Sequence, residues 1–504
     1  MRRHPHLYEI SAWPWLERLS HEEQRVVTLA TVPGNRWDRI AEDGFDALFL
    51  MGVWRRSAIG RDIARADRGI VAEYDRILPG WTEADVPGSP YSIQAYEPDD
   101  RIGGWQGLDT ARHELKSRGI SLILDFVPNH TGFDHAWIAD YPERYVLGTE
   151  EDQRLAPADF RSVDVRGRPV SIACGRDPYF APWTDVAQLN YFNPDTRLAV
   201  QATLRDISAH CDGVRCDMAM LVLNDVFDRT WRRLLRDDWP RPATEFWPET
   251  TRMLPELLYL AEVYWGLEGR LLDQGFTFAY DKRLLDGLHS PQRAAHTRDL
   301  LSASFPDPSR LARFLENHDE PRSAATLGGL LAAAASVLVS LPGMRFFFDG
   351  QLEGRRIKVP VQLARWPEES PDEAVCALYK RALTFARDEV LHEGDWKLLT
   401  VSAAGDPSFA DIVAYRWRSA DALALVTVNL GAATSWAHVE IGGDLFPGEA
   451  FDFEDRLTDA TYRWTRDALL DRGLYVQLEA GGAHLFNVHV AAGSALDSPI
   501  LQTE

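Results

Sequence analysis

Residues 195–217 read DTRLAVQATLRDISAHCDGVRCD, and the change of character within this stretch decides the fold class. From 195 to 210 apolar residues recur at helical spacing behind an acidic residue suited to an N-cap. From 213 to 217 the chain becomes a short apolar run, too brief for a helix, that ends in a carboxylate. The same alternation recurs along the chain. Short runs at 7–11, 47–51, 121–126, 213–217, 259–263, 276–279, 313–316 and 344–348 alternate with stretches of helical character such as 109–118, 281–288 and 322–340. Eight parallel strands, each followed by a helix, close as a (β/α)8 TIM barrel.

Two stretches fall outside this pattern. Residues 131–187 follow the third strand, are rich in Pro, Gly, Asp and aromatics, and are far longer than a normal strand–helix loop, so they read as an inserted B subdomain or lid. Beyond about 393 the pattern changes to short alternating runs at 422–429, 437–441, 474–478 and 484–489, the mark of a C-terminal antiparallel β domain. The expected layout is α/β: barrel at 1–130 and 188–393, insert at 131–187, and a β-sandwich at 394–504. A length of 504 residues accommodates about three such domains.

Composition narrows the partners. Hydrophobic residues at 45% and charged residues at 26% describe an ordinary soluble globular chain with ample core. The net charge of −22 opposes binding to nucleic acid or to an anionic membrane surface and fits a neutral or cationic ligand better. Cys174, Cys211, Cys216 and Cys376 are too scattered for a disulfide framework, which favours a reducing cytoplasm. The N-terminus leads into Leu7-Tyr8-Glu9-Ile10-Ser11 without the apolar core of a secretion signal. The most apolar run, 327–341, stops at Pro342-Gly343 and reads as a buried barrel helix rather than a membrane span. The oligomeric state stays open.

In such a barrel the site lies at the carboxyl ends of the strands. Strand three ends Leu124-Asp125-Phe126-Val127-Pro128-Asn129-His130, strand four Arg215-Cys216-Asp217, strand five Leu260-Ala261-Glu262-Val263, and strand seven Glu316-Asn317-His318-Asp319-Glu320. Each element alone is weak, since a lone Asp at a strand end is more often a cap. Together they place Asp217, Glu262 and Asp319 on one rim. Arg215 lies two residues before Asp217, on the same side of the strand, and is expected to keep it ionised. Two carboxylates on neighbouring strands, one ionised and one in a less polar setting, are what retaining glycoside hydrolysis needs as nucleophile and acid/base, about 5 Å apart. His130 and His318 would add neutral donors for sugar hydroxyls, and Tyr91 an apolar face for a pyranose ring.

These four segments resemble the signature regions of the α-amylase family, glycoside hydrolase family thirteen. Gln188-Leu189-Asn190-Tyr191 resembles the motif closing the family's inserted domain, and 343–351 resembles its eighth-strand region. The resemblance implies Asp217 as nucleophile, Glu262 as acid/base and Asp319 as the group that holds the sugar hydroxyls. It implies that Arg215, His130, His318 and Tyr91 complete the subsite where the bond breaks, with Asp125 a structural member. No cofactor is then required, but Asn129 matches a ligand of the family's structural calcium. Two departures bear on this: where many α-amylases carry a lysine and a histidine after strand four, this chain has Met220 and Leu221. The implied reaction is hydrolysis of α-glucosidic bonds in an α-1,4-glucan or maltooligosaccharide through a covalent glycosyl-aspartate.

Other readings weigh in beside it. The same covalent intermediate serves transglycosylases, isomerising synthases and phosphorylases acting on trehalose, maltose or sucrose. A relative of another class would only bind sugar or a partner protein, having lost its carboxylates. His4-Pro5-His6 resembles the paired histidines of amidohydrolases but precedes the first strand instead of ending it, and His210, Cys211 and Cys216 read as packing residues. Tyr179, Phe180 and Trp183 of the insert are expected to line the approach.

Overall fold

The computed structural model describes residues 1–235, 239–303 and 306–491. Strands β1 (His6–Ser11), β2 (Ala47–Met51), β3 (Ser121–Phe126), β4 (Gly213–Cys216), β5 (Leu258–Ala261), β6 (Phe278–Tyr280), β7 (Leu311–Phe314) and β8 (Met344–Phe348) pair in chain order, and β8 closes on β1. Every pairing is parallel. Strand side chains alternate between the two faces, so one set from each strand fills the interior. Leu7, Phe49, Ile123, Leu260, Phe278, Ala312 and Met344 belong to that packed cluster. Helices such as Gly104–Ser117 and Pro194–Ser208 provide the connections.

The runs expected at 47–51, 121–126 and 344–348 coincide with β2, β3 and β8. The seventh strand lies two residues earlier than 313–316, because its ladder with β8 ends at Phe314↔Phe346 and Glu316 leaves the sheet to pair with Arg322 at 2.8 Å. The helical stretch 322–340 is broken into Ser323–Thr326 and Leu331–Ser340, with Gly328 between them at φ +53°.

The chain divides into two compact units. The first comprises Met1–Asp286, Ala303–Gly328 and Pro342–Cys376. It holds the barrel and two excursions from it. After β2, helices Ala58–Ala66 and Arg68–Ile77 precede the strand Ile93–Pro98, which pairs with Trp54–Arg56. After β3, strands His130–Gly132, Leu147–Gly148, Phe160–Val165, Arg168–Gly175 and Trp183–Gln188 form a small antiparallel sheet.

The second unit comprises Gly287–Ser302, Gly329–Leu341 and the chain from Ala377 onward. A six-stranded and a three-stranded antiparallel sheet share one core, with Leu425, Phe453 and Phe486 from the larger and Val439, Val476 and Leu478 from the smaller. The apolar helix Leu331–Ser340 belongs to this unit: Trp417 Nε1 donates to the Ser340 carbonyl at 2.7 Å, and the Ser340 and Tyr415 hydroxyls are 2.7 Å apart. Residues 492–504 of the expected 394–504 domain lie outside the described residues. Among the described residues no helix is long and apolar enough to cross a membrane.

Candidate active site

The inward alternation continues past the apolar layer, and there it turns polar. Two residues beyond Leu7, Ile123, Gly213, Leu260 and Phe278 come Glu9, Asp125, Arg215, Glu262 and Tyr280, all buried. Cys216 stands level with Phe126 of β3 and Ala261 of β5, so Asp217 and Glu262, one step on, emerge side by side. Backbone bonds from Asp217 N to Phe126 O (2.9 Å) and from Glu262 N to Cys216 O (3.1 Å) extend the ladder to them.

Arg215 ties the cluster together. Its Nη1 donates to Asp217 Oδ1 at 2.8 Å, its Nη2 forms an ion pair with Glu262 Oε2 at 2.8 Å, and Asp125 Oδ1 lies 3.8 Å from Nη1. The rings of Tyr91 and Tyr280 flank the guanidinium, with centroids at 5.3 and 5.8 Å. Because the fork is shared, the expectation that Arg215 keeps Asp217 ionised is not met. Burial first, and the Glu262 charge second, push the Asp217 carboxyl up to about 8 against Arg215. Burial also raises Asp125 to about 6, while its Oδ2 accepts the Gly52 amide at 3.0 Å. Gly52 adopts φ +79°, and a Cβ there would meet Arg56 and Pro90.

Glu262 is further held by two donors, the Met218 amide (2.7 Å, to Oε2) and the Tyr264 hydroxyl (2.9 Å, to Oε1). Met218 sits in the left-handed region at φ 42°, a strained conformation that turns its N–H onto the carboxylate.

His318 differs from the expectation of a neutral donor. Its Nδ1 is 2.5 Å from Glu9 Oε1, and its Nε2 is 2.8 Å from Asp319 Oδ2 and 2.6 Å from the Tyr91 hydroxyl. Burial works against the charged ring, but Asp319 and Glu9 outweigh it and hold the pKa well above the ordinary value, so this is an imidazolium. His130 has no such carboxylates: burial lowers it to about 3, and it stays neutral, bonded to the Tyr91 backbone. Asp319 is 47% exposed at its side chain, and the His318 charge overcomes partial burial to hold its carboxyl low. The Asn317 side chain accepts the amides of Asp319 (2.8 Å) and Glu320 (2.9 Å), an Asx turn that presents Asp319 at the rim.

All these residues lie in the barrel unit, and the sequence relatives and solved structures are consistent with that setting. No family model matches the chain. The curated α-amylase 3 of Dictyoglomus thermophilum is 22% identical over 303 residues, covering 55% of this chain and 56% of that one. The sequence is similar to those of curated α-amylases. It spans about half the length of the curated relatives it matches. Among solved structures, the maltogenic α-amylase AmyB of Thermotoga neapolitana superposes with a TM-score of 0.68 at 17% identity, covering 96% of this chain and 98% of that one. The α-amylase of Geobacillus thermoleovorans, solved with acarbose, gives 0.65 at 17% identity, covering 98% and 100%. At these identities the likeness is one of fold.

The residues around Asn129 do not fit calcium. The Asn129 amide is paired reciprocally with that of Gln188: Nδ2 donates to Oε1 at 3.1 Å and Oδ1 accepts Nε2 at 3.0 Å. The same Gln188 Nε2 lies 3.0 Å from the Asn129 and Leu189 carbonyls as well, its two hydrogens shared among the three acceptors. Amide hydrogens therefore point where a cation would need about six to eight oxygen ligands. Among the described residues no group of three or more His, Cys, Asp or Glu is placed to hold a metal. His4 and His6 take packing roles, His4 Nδ1 accepting the Gly343 amide at 2.9 Å and His6 Nε2 lying 3.0 Å from Arg345 Nη1. In the insert, Tyr179 and Phe180 are exposed, Tyr179 lies edge-on to Trp265, and Trp183 lies 5.5 Å from the His130 ring.

Glu9, Tyr264, Tyr280 and the Met218 amide escaped the sequence reading. Glu9 left a usable signal, as the one charged residue of the run 7–11 and on the same face as Leu7.

Proposed function

We propose that the chain is a glycoside hydrolase that cleaves α-glucosidic bonds of an α-1,4-glucan or maltooligosaccharide with retention of configuration. One observation supports this above the others: two buried carboxylates, level on adjacent strands, held by a single guanidinium. Arg215 occupies Asp217 Oδ1, so Oδ2 attacks the anomeric carbon while the bond to the leaving oxygen breaks and Glu262 gives that oxygen its proton. Water then delivers a proton to Glu262 and displaces Asp217 from the opposite side of the bond. Asp319 and the His318 imidazolium hold hydroxyls of the reacting sugar, with neutral His130 and the Tyr91 ring around it. Asp125 braces Arg215. No metal is needed in these steps. The free thiols of Cys174, Cys211, Cys216 and Cys376 fit a reducing compartment, the cytoplasm.

Two inversions leave the configuration unchanged. NMR of the first product from a maltooligosaccharide is therefore expected to show the α anomer, later relaxing by mutarotation; an initial β product would refute the double displacement.

The reaction needs a proton on Glu262 and a charge on Asp217. At high pH no proton is left for the departing oxygen, so kcat/KM is expected to fall on that limb. Glu262→Gln should abolish this limb along with most of the activity. A pH profile of the variant that retains it would assign the limb to another group.

A further inference from the structure

We propose that the substrate is cut only at its non-reducing end, one sugar ring entering beyond the point of cleavage and none after it. This rests on the hydrolase reading above and adds to it which end of the chain is consumed.

The spaces on the two sides of the cluster are unlike. Met218 and Tyr264, the two residues that bond Glu262, line an open cavity of about 510 Å³ together with Asp177, Phe180, Trp265 and Lys282. The acid protonates the oxygen that departs, so the space it faces receives the leaving group. That side is roomy enough for further rings. The opposite side, past His318 and Asn317, receives the sugar whose carbon is attacked and anything attached to its far end.

There the chain after β8 reaches past the end of β1 to the excursion after β2. Val359 and Leu363 pack with Ala64, Tyr74, Ile77, Leu78 and Val86 of the excursion after β2. Arg365 pairs with Asp85 at 3.0 Å, and the Ala364 amide donates to the Asp85 carbonyl at 2.8 Å. Arg322 lies between the rings of Phe348 (4.3 Å) and Trp366 (5.1 Å). Lys358 Nζ donates to the backbone carbonyl of Asp319 itself. The space left between this strap and His318, bounded also by Arg56, is about 10 Å³, room for a single water. A second ring on that side would require the strap to come off, exposing its apolar cluster and breaking its ion pair. Held at Lys358, at Val359 and Leu363 and at Arg365, the strap leaves no room for a further ring beside His318.

The experiment compares maltoheptaosides with free and with capped non-reducing ends, alongside p-nitrophenyl α-glucoside. The free oligosaccharide should lose glucose stepwise, and the capped one should turn over at least about 100-fold more slowly. Internal cleavage of the capped chain within about tenfold of the free one would overturn the inference while leaving the hydrolase reading intact. Inactivity on all three would overturn the reading and the inference with it. Calorimetry on Glu262→Gln gives a readout without turnover: maltotriose should bind, and its capped form at least about tenfold more weakly. Equal affinity would remove the limit beside His318.

Discussion

Asp217→Asn is expected to lower turnover of an α-glucoside by about four orders of magnitude or more while leaving the fold intact. Asparagine keeps the shape, and its oxygen can still accept from Arg215 Nη1, which now donates to Asp217 Oδ1 at 2.8 Å. What disappears is the anion proposed to bond to the anomeric carbon. Glu262→Gln should be nearly as severe on a sugar leaving group, which needs a proton, and much milder on a substrate whose leaving group departs unprotonated, such as a glycosyl fluoride. Azide separates the two roles. In a truncated nucleophile variant, Asp217→Gly, azide replaces the carboxylate and produces one inversion, hence the β-glycosyl azide. In the Glu262 variant the Asp217 ester still forms, azide intercepts it, and the second inversion yields the α product. Interchanged azide products would exchange the assignments, and near-wild-type rates in both variants would move the chemistry elsewhere in the barrel.

Which of these groups the sequence exposes depends on how local their setting is. Asp217, Arg215 and Glu262 are legible because strand alternation fixes their side and the parallel ladder fixes their height, both properties of a few consecutive residues. Protonation is not legible in this way. The charge on His318 depends on Glu9, 309 residues earlier, meeting Nδ1 from β1, the strand two places from β7 around the barrel. Asp217 departs from expectation because the arginine beside it in sequence is divided among carboxylates contributed by three strands. The strap after β8 carries neither helical nor strand periodicity. Its position comes from Val359 and Leu363 finding an apolar cluster some 280 residues away in the chain, as the Arg365–Asp85 pair does. The break at Gly328-Gly329, in contrast, stood in the sequence, and only the apolar run around it made the stretch read as one helix.

Arg215→Ala should be the most damaging single change to the stability of the barrel unit. The side chain is fully buried, and its removal leaves Asp217, Glu262 and Asp125 facing one another with no counter-charge among them. Deleting one partner of a buried ionic network costs roughly 3–5 kcal/mol, a large part of the total stability of an ordinary domain. Urea unfolding followed by tryptophan fluorescence should show the loss at pH 7. The sign of its pH dependence follows from the chemistry: without Arg215, the carboxylates can relieve their repulsion only by taking up protons. The folded variant therefore binds more protons than the unfolded chain, its deficit shrinks as the pH falls, and it grows as the pH rises. Arg215→Lys tests geometry apart from charge. An ammonium can neutralise the cluster but cannot hold Asp217 and Glu262 on two nitrogens of one plane, so this variant should recover most of the stability and little of the activity. An Arg215→Ala protein that unfolds at the wild-type urea concentration at pH 7 would mean that the three carboxylates already share enough protons to need no arginine, and the charge assignment of the site would have to be redrawn.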